Sequence, residues 1–123
     1  MSTPPPRPYS PWLRAGDFVV ISGQLGFHTE NGVTKMADGG TAGQLKQALV
    51  NASHALGEAG ATMSQVVKAT LFILDMKDFA ACNEVWLAAF TTQPLPTRTA
   101  VAVAELPLGA HAEVELWAYS PKS

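Results

Sequence analysis

The sequence holds a single cysteine, Cys82, and three histidines, His28, His54 and His111. One cysteine excludes an internal disulfide and suits a reducing compartment. The histidines stand far apart, without the spacing of metal ligands, so no metal site is expected. Charge is scarce too: 15% of the 123 residues are charged, and the formal net charge is -2. No cluster of Lys or Arg is present to replace counterions along phosphates, so nucleic acid is not an expected partner. No apolar run approaches the ~20 residues that span a bilayer. The opening Met-Ser-Thr-Pro-Pro-Pro-Arg-Pro lacks the apolar core of a secretory signal. The expectation is a cytoplasmic protein with no membrane partner. Gly39-Gly40 lacks the flanking glycine and lysine of a phosphate loop, and no Ser/His/Asp constellation can be assembled.

What is present is apolar sequence. Hydrophobic residues make up 47% of the chain, enough for one domain with a working core. With so few charges, part of the surface is expected to be covered by other copies of the chain. Residues 1–8 read as a flexible, proline-rich N-terminus, and residues 9–123 as the domain. Phe18 to Ser22 is a short β-rich run after the turn signal Gly16-Asp17. A loop rich in Gly, Asn and Asp is expected from about Thr29 to Gly40. A helix follows, with Thr41 and Gln44 at capping-box spacing. Its apolar stripe is Leu45, Ala48, Leu49, Ala52 and Leu56, and Gly60 ends it. Val66 to Leu74 reads as a strand. A second helix spans about Asp78 to Phe90, with Phe79, Cys82, Trp86 and Phe90 on its apolar face. Pro94 and Pro96 stop it. Thr97–Ala104 and Ala112–Tyr119 read as two strands of an antiparallel hairpin.

This order predicts an α+β fold, a mixed sheet with two helices on one face. On the last strand Val114, Leu116 and Ala118 are expected to meet the helices. Glu113, Glu115, Trp117 and Tyr119 then point to the uncovered side. A monomer seldom leaves such a patch bare, which argues for an oligomer.

Arg98 opens a strand in Pro96-Thr97-Arg98-Thr99, with only Ala100, Ala102 and Ala104 beside it on the same side. A guanidinium with room around it can grip a carboxylate through two hydrogen bonds. Spacing alone favours a plainer role, an ion pair with Glu105, Glu113 or Glu115. Glu113 can orient a water or exchange a proton if it shares a sheet face with Arg98; by itself it reads as a solvated glutamate or the partner of Arg98. Asn83 falls on the apolar face of the second helix, where an amide must find partners, either backbone groups or a ligand. In Ser22-Gly23-Gln24 the glycine allows a bulge, a tight bend or the close approach of another group. Tyr9 and Ser10 read as surface packing.

Taken in order, these segments resemble the Rid (YjgF) family. The matching stretches are Pro8-Tyr9-Ser10, Val20-Ile21-Ser22-Gly23-Gln24, the helix with Gln44 and Asn51, and Val67-Lys68-Ala69-Thr70. Asp75-Met76, Asp78-Phe79-Ala80, Asn83, Pro96-Thr97-Arg98-Thr99, Leu106-Pro107 and Glu113-Val114-Glu115 complete the series. The resemblance implies a chorismate-mutase-like fold, a homotrimer with clefts between subunits, and no cofactor. It implies that Arg98 grips the carboxylate of a 2-imino or enamine acid, and that Tyr9, Ser22, Gly23, Asn83, Ala100 and Glu113 line the same cleft. The implied reaction is that of a 2-iminobutanoate/2-iminopropanoate deaminase: hydrolysis to a 2-oxo acid and ammonia. An imine is already electrophilic, so positioning and a placed water suffice. The sequence departs from the family pattern at Arg7 (often Gly), Gly26 (often Pro) and Ala100 (often Cys), and in a short segment from Phe90 to Pro96. These departures bear on the substrate. The alternatives are a non-catalytic protein that binds small carboxylates or regulates an enzyme, and a Rid-type enzyme acting on another enamine or amide. A ribonuclease, a label some members carry, fits poorly with the acidic balance.

Overall fold

A computed structural model describes residues 7–122; the first six residues of the proline-rich segment lie outside it. The strands are β1 (Trp12–Ala15), β2 (Phe18–Ile21), β3 (Phe27–Glu30), β4 (Val33–Met36), β5 (Val66–Ile73), β6 (Thr97–Ala102) and β7 (Ala112–Tyr119), and the helices are α1 (Gly40–Glu58) and α2 (Phe79–Ala89). Five strands form a mixed sheet in the order β1-β2-β7-β5-β6, and β3-β4 stand apart as a hairpin. Both helices pack on one face of the sheet, as the α+β reading expects, and neither is long and apolar enough to cross a membrane.

The stripe on α1 is its buried face: Leu45, Ala48, Leu49, Ala52 and Leu56 recur at helical spacing and are all in the core. The helix ends as Gly60 predicts. Gly60 takes φ +86°, its N–H donates to the Gly57 carbonyl at 3.1 Å and the Ala61 N–H to the Leu56 carbonyl at 2.8 Å. This double bond pattern with a left-handed residue closes many helices. The start differs from expectation. Gly39 precedes the helix, and no side chain caps it. Thr41 lies inside the first turn and donates through Oγ1 to Asp78 Oδ2 at 2.9 Å. Gln44 Oε1 accepts from the His111 N–H at 2.7 Å. Both polar side chains are thus drawn off by partners on other elements, which local spacing cannot foresee.

Two further expectations are corrected. The segment read as a loop from Thr29 is a hairpin whose two-residue turn is Asn31-Gly32, at φ +53° and +78°. Asn-Gly is the strongest short signal for such a turn. Second, β6 and β7 are not a hairpin. β5 lies between them, parallel to β6 and antiparallel to β7. The residues between β6 and β7, including the short turn Pro107–Gly109, carry the chain across β5. The sheet thereby places the largely apolar β5 in an interior position and leaves β6 at the edge.

Candidate functional site

Register assigns each strand residue to a face. Arg98 pairs with Ala69, which pairs with Leu116, and Ala100 pairs with Leu71 and thence Val114. Ala69, Leu71, Leu116 and Val114 are buried beneath the helices, so Arg98 and Ala100 point to the helix side. Glu113 pairs with Phe72, which pairs with Val101; these point to the open side. Arg98 and Glu113 therefore stand on opposite faces of the sheet. The expectation that they approach across a shared face within one chain is not met, because the intervening β5 reverses the geometry a hairpin would have had.

Two groups of candidate residues result. In the first, the Arg98 guanidinium carbon sits 5.1 Å from the Trp86 ring centroid and 5.3 Å from that of Phe79. Cations are held over aromatic faces in this way while their N–H donors stay available. The plainer reading of Arg98 fails: among the described residues the ion pairs are Lys35–Glu30 and Lys77–Asp75, and Arg98 is in neither. Arg98 lines a cavity of about 310 Å³ with Asn83, Trp86, Leu87, Leu95 and Pro96. Asn83 Oδ1 is buried and has no hydrogen-bond partner among the described residues. Such an acceptor is costly unless something donates to it. Ala100 is half-buried, two residues along the same side of the edge strand. An edge strand keeps one row of backbone groups outside the ladder. Beneath the site, Cys82 is fully buried in the core. Burial first, and then the Asp78 carboxylate, push its thiol pKa up against the pull of Arg98, so Cys82 is held as a neutral core thiol.

The second group gathers at the start of β7. After β2 the chain runs on beside β7: Gln24 N–H donates to the Val114 carbonyl at 2.8 Å and Val114 N–H to the Gln24 carbonyl at 3.1 Å. Gly23 thereby lies against Glu113, and a Cβ on Gly23 would collide with the Glu113 carboxylate. The glycine serves a close approach, not a bend. Burial, and secondarily the neighbouring Glu115 charge, raise the Glu113 pKa above the usual glutamate value. Ser22 donates through Oγ to the Ser10 carbonyl at 2.7 Å, fastening the N-terminal strap. Tyr9, Ser22 and Gly23 line a groove of about 380 Å³ that also includes Arg7 and His54. Asn51, on the far wall, donates to the Leu25 and Phe27 carbonyls at 2.9 and 2.8 Å. It pins this segment to α1.

The family described as Endoribonuclease L-PSP matches residues 2–120. This chain belongs to that family, the Rid (YjgF) family. It is 38% identical to a 2-iminobutanoate/2-iminopropanoate deaminase of Dermatophagoides farinae, over 94% of this chain and 91% of the relative. It is 36% identical to a RutC family protein of Pyrococcus abyssi, over 94% and 88% of the two chains. The crystal structure of RidA from an Antarctic Psychrobacter bacterium superposes with a TM-score of 0.83 at 37% identity, covering 92% of this chain and 89% of that one. Rid relatives thus carry several names, and the fold is common to them. Sequence reasoning missed one part of this Rid chain's site. Trp86 lies in the core and Phe79 packs against it, as read, and the two also form the seat of Arg98. Two aromatic side chains seven residues apart on the helix just before a lone arginine are the signal that could have suggested it.

Proposed function

We propose that this protein hydrolyses 2-imino and enamine acids, such as 2-aminoacrylate, 2-iminopropanoate and 2-iminobutanoate, to 2-oxo acids and ammonia, in clefts between the subunits of a homotrimer. The observation that carries the reading is Arg98: a guanidinium on aromatic rings, facing a cavity, with no carboxylate partner among the described residues. The deaminase name of the mite relative supports the same reaction. Because Arg98 and Glu113 occupy opposite faces of one sheet, the substrate sits between copies. Arg98, Asn83 and the backbone of Ala100 come from one copy; Glu113, Gly23, Ser22 and Tyr9 come from the next. The uncovered sheet face supplies an adhesive surface, since Phe18, Trp117 and Tyr119 are 40%, 40% and 46% exposed. Their rings already stack edge to face.

The chemistry then needs little. Arg98 holds the carboxylate and so fixes the C=N bond. Glu113 takes a proton from a water whose oxygen adds to C2. The proton passes to the nitrogen, giving a carbinolamine; its hydroxyl proton is then passed through Glu113 to the NH2 group, and the C–N bond breaks to release ammonia as the C=O bond forms. A carboxyl group with a raised pKa is suited to giving the proton back.

A dehydratase that makes 2-aminoacrylate from serine provides the test. Added protein should speed pyruvate release, and Arg98→Ala, shown to be folded, should not. Equal release with and without the wild-type protein would refute the proposal.

A further inference from the structure

Granting Arg98 as the carboxylate anchor, we propose that its cavity selects 2-imino acids with a bulky apolar side chain, branched aliphatic or aromatic, over those with a methyl or ethyl group. The volume is the first ground. About 310 Å³ opens beside the guanidinium, whereas cavities of ~300–1,000 Å³ hold drug-sized ligands. A carboxylate and an imine do not fill it. The lining is the second ground. Its charged and amide side chains are Arg98 and Asn83, and both are used by the invariant part of such a substrate. The guanidinium takes the carboxylate, and the unpartnered Asn83 Oδ1 accepts from the imine N–H. The remaining walls are Leu87, Leu95, Pro96 and the Trp86 ring, whose single indole N–H is their one side-chain polar group, so a polar side chain finds few partners there. The third ground is exposure. In the single chain Leu87 and Leu95 are 58% and 38% exposed. A bulky apolar group laid between them covers more of that surface than a methyl group can.

The stable 2-oxo acid products share the carboxylate and the side chain, so binding can be measured apart from turnover. In calorimetry, 4-methyl-2-oxopentanoate and phenylpyruvate should bind at least about tenfold more tightly than pyruvate, since each methylene in an apolar pocket discriminates by ~10- to 200-fold. Leu95→Ala should cut that preference ratio about tenfold. Leu95→Phe, which fills the cavity, should invert it; melting curves confirm that each variant is folded. Imines generated from leucine, phenylalanine and alanine by an amino-acid oxidase, followed by semicarbazide trapping, should be cleared in the same order. Equal affinities, or variants that shift all three acids alike, would overturn the inference. Clearance of every imine without preference overturns it and leaves the hydrolase reading standing. Selective binding without any hydrolysis supports the cavity's selectivity and overturns the hydrolase reading. No binding of any of the three acids overturns both.

Discussion

The two sides of β7 are built from one alternating run, Ala112 to Tyr119, yet they meet opposite fates. Ala112, Val114, Leu116 and Ala118 are each fully buried under the helices, while Trp117 and Tyr119 are 40% and 46% exposed and Glu113 and Glu115 are half-buried. The inner side is finished within the chain. The outer side mixes two carboxylates with two aromatic rings, and this composition is poor for a core and costly for a bare surface. The difference teaches that within β7 the side turned to the helices holds the fold while the other side is left uncovered. Arg98 belongs to the helix side too, but on the edge strand β6 its guanidinium keeps a cavity beside it.

Breaking that division should be easiest at Arg98. Losing two charge-assisted bonds of ~1.5–3 kcal/mol each corresponds to roughly 100- to 10,000-fold in kcat/KM for Arg98→Ala. Arg98→Lys should recover only part, because an ammonium cannot copy the two-pronged contact. The melting temperature should fall only modestly, since Arg98 makes no ion pair among the described residues and its contacts with the Trp86 and Phe79 rings are worth about 0.5–2 kcal/mol. A folded Arg98→Ala variant of undiminished activity would end the proposal.

Glu113→Gln comes next. Loss of proton transfer costs ~100- to 10,000-fold, read from imine clearance. The raised pKa also fixes a sign. The folded state holds the Glu113 proton more tightly than the unfolded chain, first through burial and then through Glu115. The associated stability is complete below the ordinary glutamate pKa and is lost as pH rises through the raised value. Glu113→Gln should therefore gain melting temperature relative to wild type only as pH climbs through that window. Over the same window kcat/KM of the wild type should rise, and the variant should lack that limb. Parallel melting curves at all pH values would place Glu113 in water.

One residue on each side of β7 sharpens the contrast. Leu116→Ala should cost about 2–5 kcal/mol in denaturant unfolding through the cavity it leaves. Trp117→Lys should leave the monomer folded but separate the subunits, seen as a lower mass in light scattering, because the new ammonium faces apolar rings and the Lys68 amine already lies 5.2 Å from the Trp117 ring. If Trp117→Lys unfolds the chain and Leu116→Ala does not, the assignment of faces is reversed.

The smallest effect is expected at Gly23→Ala. The added methyl displaces the flexible Glu113 carboxylate rather than backbone. Stability should be nearly unchanged while kcat falls about tenfold, as a displaced catalytic group implies. Unchanged kcat would show that the carboxylate has slack in its position.

Much of this was legible in residue order. Helical period marked the buried stripe of α1, and strand alternation marked both sides of β7, because burial against one neighbour imposes the period of the element itself. Gly60 announced the end of α1, and Asn31-Gly32 announces a hairpin that composition alone disguises as a loop. The candidate residues Arg98, Asn83, Gly23 and Glu113 stood out through the family resemblance, since each by itself reads as a common structural residue. Sequence could not decide which strands are neighbours. Leu106 to Gly109 reads as a hairpin turn, but β5 intervenes between β6 and β7, and pairing follows the burial of whole strands rather than the length of a connection. That choice put Arg98 and Glu113 on opposite faces. It also drew Thr41 and Gln44 away from a helix cap to Asp78 and His111, and brought Phe79 and Trp86 beneath the guanidinium. Period and turn chemistry act within a few residues and are written in the chain; contacts between distant elements depend on the packing of all of them at once.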